Sequence, residues 1–114
     1  MGDLLGDFAP QHEFIIFCSN GKRKLNGKRA SNILKYSKTG NKLHPTEKPV
    51  DLIQFLIEKS SNEGEVVLDC FAGSGTTGVA ARAAGRNFIL MEKDEKYFEV
   101  CTERLERNSI KENF

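Results

Sequence analysis

Asp69, the glycines Gly73, Gly75 and Gly78, and the hydroxyls of Ser74, Thr76 and Thr77 fall within ten consecutive residues. Their types suit the grip of a small charged ligand. Glycine lets the backbone pass close to a ligand and take turns closed to other residues. A helix starting at such a turn offers unpaired N–H groups and the positive end of its dipole, suited to a carboxylate or phosphate. Asp69, four residues before the first glycine, could accept from a cationic amine, and Phe71 offers an aromatic face. Glu92 follows Gly73 by 19 residues, at a distance where a carboxylate binds a ribose diol in nucleotide-binding folds. Together these residues point to a nucleoside cofactor.

Two cofactors fit the spacing Gly73-x-Gly75-x-x-Gly78 with a later acid. In a nicotinamide dinucleotide site the first glycine usually follows the strand directly, whereas Asp69-Cys70-Phe71-Ala72 intervenes here. An acid beside a pyrophosphate is repulsive, and an acid beside the amino and sulfonium groups of S-adenosylmethionine is attractive. S-adenosylmethionine is therefore favoured, with a nicotinamide-dependent oxidoreductase as the competing reading.

The elements needed to position these residues are legible in the apolar pattern. Val66-Val67-Leu68 reads as a buried strand ending at Asp69, residues 76–84 as a helix ended by Gly85, and Asn87–Met91 as the next strand. Residues 95–108 form a last helix with Tyr97, Phe98, Cys101 and Leu105 on one face. Upstream, Pro49 opens a largely buried helix with Val50, Ile53, Leu56 and Ile57 in its stripe, ended by Ser60–Gly64. The order α-β-α-β-α predicts an open, mostly parallel, doubly wound sheet. Two or three strands make a poor free-standing sheet, so the pattern reads as part of a domain. His12–Cys18 is predicted to be a further strand, stopped by Ser19-Asn20-Gly21.

Asp69-Cys70-Phe71-Ala72-Gly73-Ser74-Gly75-Thr76-Thr77 resembles motif I of the amino-directed DNA methyltransferases, which methylate N6 of adenine or N4 of cytosine. His44-Pro45-Thr46-Glu47-Lys48-Pro49 is similar to the family's HPTxKP signature, motif X, and Glu92 falls where the motif II acid lies. The proline that usually follows the motif I aspartate is Cys70 here. The resemblance is dense over residues 44–108, and His12–Arg29 resembles more loosely the late strand hairpin and its following loop. The order X, I, II resembles the permuted β-type arrangement. It implies a Rossmann-like α/β domain, incomplete here, divided as a strand-hairpin remnant (1–18), a basic loop (19–43) and an S-adenosylmethionine-binding subdomain (44–114). It also implies that the loop carrying His44, Thr46 and Lys48 reaches toward the methionine end of the cofactor. Adenine is preferred over cytosine on family frequency alone.

Such enzymes carry a strand-end Asp/Asn/Ser-Pro-Pro-aromatic tetrapeptide that holds the flipped base. This chain has only Pro10, Pro45 and Pro49, with no Pro-Pro pair. No catalytic residue is therefore assigned. The chain reads as the C-terminal, cofactor-binding part of a methyltransferase, inactive alone, or as a non-catalytic cofactor- or DNA-binding remnant.

Residues 14–46 hold no acid and eight bases, and among these Lys22, Arg23, Lys24, Lys28 and Arg29 are the candidates for DNA phosphates. Tyr36 is the aromatic placed to stack on a base. The formal net charge of +1 hides this asymmetry: residues 1–46 carry eight Lys/Arg against three Asp/Glu, and residues 47–114 nine against thirteen. Cys18, Cys70 and Cys101 lack CxxC spacing and read as reduced, mostly buried residues, with neither a disulfide framework nor a metal site. No signal peptide or membrane span is seen, so the expected setting is the cytoplasm. The partners implied are DNA, a complementary N-terminal segment or subunit, and a second copy meeting at an exposed sheet edge.

Overall fold

Thr76 to Ala83 form the helix around which the rest is arranged, and its sequence explains why. Small residues let neighbouring elements come close: Ala80 and Ala81 are fully buried and Ala84 nearly so. A computed structural model describes residues 12–37 and 47–112, with side chains of the last helix described through Arg107. In chain order the elements are α1 (Val50–Ser60), β1 (Val66–Asp69), α2 (Thr76–Ala83), β2 (Asn87–Leu90) and α3 (Glu95–Glu112), the α-β-α-β-α order predicted.

β1 and β2 pair in parallel with Val66 opposite Asn87 and Asp69 opposite Leu90. A parallel pair needs a crossover, which α2 provides. The ladder continues beyond the strands, since Met91 donates to the Asp69 carbonyl and Ala72 to that of Met91, both at 2.9 Å. α2 ends in a Schellman closure: Gly85, at φ +76°, donates to Arg82, and Arg86 donates to Ala81. Asp94 caps α3 by accepting from the Tyr97 N–H at 3.1 Å. Pro49 sits one position earlier than predicted, as the extended residue before α1.

The core lies between α1 and α2 and on one face of the sheet. Ile57, Ala80, Ala81 and Ala84 are packed against Val50, Ile53, Val67 and Phe88. The opposite sheet face is bare, with Val66, Leu68 and Ile89 at 60%, 58% and 53% exposure. The run Val66–Leu68 predicts a strand buried on both faces, as parallel strands usually are. Here the helices cover one face, so only alternate residues are shielded. On α3, Cys101 is buried as predicted and Phe98 is half exposed.

His12–Cys18 is not a strand among the described residues. It carries no regular secondary structure and is exposed, with Phe14 and Ile16 above 85%, and no described strand pairs with it. Cys18 and Cys70 are likewise exposed, contrary to the buried reading. The basic segment is not a free loop. Asn26 donates through its backbone to Lys59 at 2.8 Å and through its side chain to the carbonyls of Glu58 and Ser61. Lys59 donates back to the carbonyls of Asn26 and Lys28. This clasp satisfies carbonyls left open at the end of α1.

Candidate cofactor site

β1 delivers Asp69 to the start of the glycine turn, and both of its carboxylate oxygens brace that turn. Oδ1 accepts from the Phe71 N–H at 2.9 Å. Oδ2 accepts from the Thr77 hydroxyl at 2.6 Å. Both partners are neutral, and among the described residues Asp69 has no ion-pair partner. The carboxylate is thus oriented, with no described cation paired to it, and suits a cationic group. Phe71 stands out from the same turn at 90% exposure.

The glycines serve different ends. Gly73 and Gly75 take positive φ, +57° and +88°, with Gly75 leading into α2. A Cβ on Gly75 would lie 2.8 Å from Cys101 Sγ, and one on Gly78 2.8 Å from Leu90 and 2.9 Å from Leu105. The close approaches at positions 75 and 78 are therefore to the protein's own α3 and β2.

Glu92, just past β2, closes the other side of the turn. Its Oε1 accepts from the Gly73 N–H at 2.7 Å and its Oε2 from the Asp94 N–H at 2.9 Å. The 19-residue spacing thus brings the acid and the first glycine into direct contact. A cavity of about 210 Å³ adjoins Glu92, lined also by Ala72, Phe88, Leu90, Phe98 and Cys101 among others. That is below the roughly 300–1,000 Å³ of most small-molecule sites, room for part of a ligand.

Ser74 and Thr76 do not face outward with their hydroxyls. Both are buried, and both accept from Arg104 Nη1, at 3.1 and 2.9 Å. The same nitrogen lies 3.8 Å from Glu47 Oε1, with the Arg104 and Glu47 side chains 16% and 7% exposed. Arg104 and Glu47 are the site's residues that the sequence reading missed. The available signal was an arginine three residues after Cys101 on the inward face of α3. The Cys101 thiol is pushed above its ordinary value by burial first, against the pull of Arg104, with Glu92 and Asp69 adding to the rise.

Lys48 ion-pairs with Glu13 at 2.8 Å, tying the His12–Cys18 segment to the start of α1. Thr46 and His44 lie outside the described residues. Of the basic candidates, Lys22, Lys24, Lys28 and Arg29 are exposed, and Arg23 is 3.9 Å from Glu65. Tyr36, expected to be available for stacking, is half buried with its ring 6.4 Å from that of Phe55. No three His, Cys, Asp or Glu side chains cluster as a metal site among the described residues. No described helix is long and apolar enough to cross a membrane.

The chain is similar to known proteins. The chain is 41% identical over 95 residues to the protein YubD of Escherichia coli (strain K12), covering 83% of this chain and 42% of YubD. It is 48% identical over 66 residues to the type II methyltransferase M.HinfI of Haemophilus influenzae, covering 58% of this chain and 18% of that enzyme. The structure of the M1.HpyAVI-SAM complex superposes with a TM-score of 0.61 at 36% identity, over 72% of this chain and 43% of that one. The chain thus spans less than half the length of each of these proteins. The family model described as DNA methylase (N6_N4_Mtase) matches residues 5–103, and with the motif order and glycine-turn geometry above this identifies the chain as a member of the DNA methylase family.

Proposed function

We propose that these residues form the methyl-donor site of an S-adenosylmethionine-dependent DNA amino-methyltransferase acting on N6 of adenine, with N4 of cytosine as the alternative. The observation that carries this reading is Asp69, a braced carboxylate with no cation among the described residues to neutralise it, beside the exposed ring of Phe71. A dinucleotide pyrophosphate would be repelled there, while an amino group and a sulfonium are attracted. When bound, the cofactor supplies an electrophilic methyl group that the exocyclic amine of a base accepts.

In this reading Asp69 accepts from the cofactor's amine and Phe71 flanks it. The turn Gly73–Thr77 supports the ligand through its backbone, since the hydroxyls of Ser74 and Thr76 are engaged by Arg104 and that of Thr77 by Asp69. Glu92 binds the ribose, and Thr46 and Lys48 reach the methionine end. Lys22, Arg23, Lys24, Lys28 and Arg29 contact DNA phosphates. Residues 19–43 and 44–114 act as basic segment and cofactor subdomain. The setting is cytoplasmic DNA methylation of the restriction-modification kind, with acceptor-side residues supplied by a complementary segment or subunit. The alternative reading is a cofactor- or DNA-binding module without catalysis.

Calorimetry tests the cofactor. S-adenosylmethionine is expected to bind, NAD is not, and Asp69→Asn should weaken binding about tenfold or more, the scale of one charge-assisted hydrogen bond. NAD binding without S-adenosylmethionine binding would overturn the reading. Methyl transfer to DNA on adding a polypeptide that carries the Pro-Pro-aromatic loop separates the enzyme from the binding module.

A further inference from the structure

Beneath the glycine turn one arginine joins segments far apart in the sequence. Arg104 leaves α3, and its Nη1 donates to the Ser74 hydroxyl at 3.1 Å, to the Thr76 hydroxyl at 2.9 Å and, more distantly, to the Ser74 carbonyl at 3.4 Å. It also lies 3.8 Å from Glu47, inside the His44–Pro49 signature. Ser74 and Thr76 are buried at 2% and 7% exposure, so their hydroxyls need a protein partner. A buried arginine without an anion is costly, and Glu47 supplies that anion from the segment leading into α1. One nitrogen therefore fixes the start of α2 and the entry to α1 against each other.

The position of this knot matters because of what lies on either side of it. Thr76 precedes Thr77, whose hydroxyl holds Asp69 at 2.6 Å, and Glu47 stands between Thr46 and Lys48. Thr46 and Lys48 are thus each one residue from an Arg104 contact, and so is Thr77, the brace of Asp69. The ribose acid, Glu92, is fixed instead by the N–H groups of Gly73 and Asp94.

We propose that Arg104 is a positioning residue for the amino-acid end of the methyl donor, acting through Ser74, Thr76 and Glu47 without touching the ligand. The inference rests on the cofactor reading above. Its test is calorimetric titration of the chain with S-adenosylmethionine and with 5′-methylthioadenosine, which keeps the nucleoside and lacks the amino-acid end. Arg104→Gln is expected to weaken S-adenosylmethionine about 10- to 100-fold, as expected for lost charge-assisted bonds, and to leave methylthioadenosine unchanged. Arg104→Lys should recover most of the loss, because the contacts converge on one nitrogen that an ammonium can replace. Glu47→Gln should show the same selectivity at smaller size, and it carries the test if thermal melts show Arg104→Gln to be unfolded. Equal weakening of both ligands, or unchanged S-adenosylmethionine affinity in a folded variant, would overturn the proposal. A wild-type chain that binds neither ligand would overturn the cofactor reading itself.

Discussion

Cys101 Sγ sits so close under the turn that position 75 has room for hydrogen alone, and the turn could not take its shape over a larger residue there. Burial raises the thiol's pKa above its ordinary 9.0, so the folded chain holds this proton more tightly than the unfolded one. The resulting stability is fully present below the unfolded thiol's pKa and is lost as pH climbs from there through the folded value. Thermal melts from pH 7.5 to 10 should therefore fall more steeply for the wild type than for Cys101→Ala, and equal slopes would contradict this account. At this scale the sequence was a good guide to backbone-driven features. Gly73 and Gly75 have the left-handed conformations expected of a glycine turn, and Asp69 stands at the strand end. It was a poor guide to hydroxyl direction. Ser74 and Thr76 read as ligand donors because nothing in their local sequence announces an arginine 28 to 30 residues later.

Among the elements, α1 was legible from its stripe and α2 from its glycine end, since both signals are local. The clasp at the end of α1 was not, because Asn26 is over 30 residues from the carbonyls it serves. The next residue, Gly27, takes the left-handed φ of +70°. Asn26→Ala removes two side-chain donors to Glu58 and Ser61 and should cost about 1–2 kcal/mol, one to two net hydrogen bonds. Denaturant unfolding followed by circular dichroism measures this, and an unchanged midpoint would mean the segment is not fastened there. His12–Cys18 shows the opposite error. Its β-branched and aromatic composition is that of a strand, but a strand is made by its neighbour's hydrogen bonds, and composition does not supply a neighbour.

For the whole molecule, one side of the sheet is helix-covered and the other presents Val66, Leu68, Ile89 and Met91 at 52–60% exposure. An apolar patch of that kind favours association. The 114-residue chain by itself is expected to self-associate with rising concentration in sedimentation equilibrium. Leu68→Lys together with Ile89→Lys should shift it toward monomer with its circular dichroism unchanged. A wild type that stays monomeric across the range would remove this face as an interface. The apolar run of β1 had signalled burial on both sides, and only the covered side was realised, because a strand's pattern records the surroundings it suits and not which of them are present.

α1 also acquires a second meaning from the two attachments at its ends. Asn26 and Lys59 fasten the basic segment to its last turn, while Glu47, three residues before its start, is tied through Arg104 to the turn that begins α2. Eleven helical residues span roughly 16 Å at 1.5 Å each. This rod therefore holds the basic segment and the Glu47–Arg104 pair at a fixed separation.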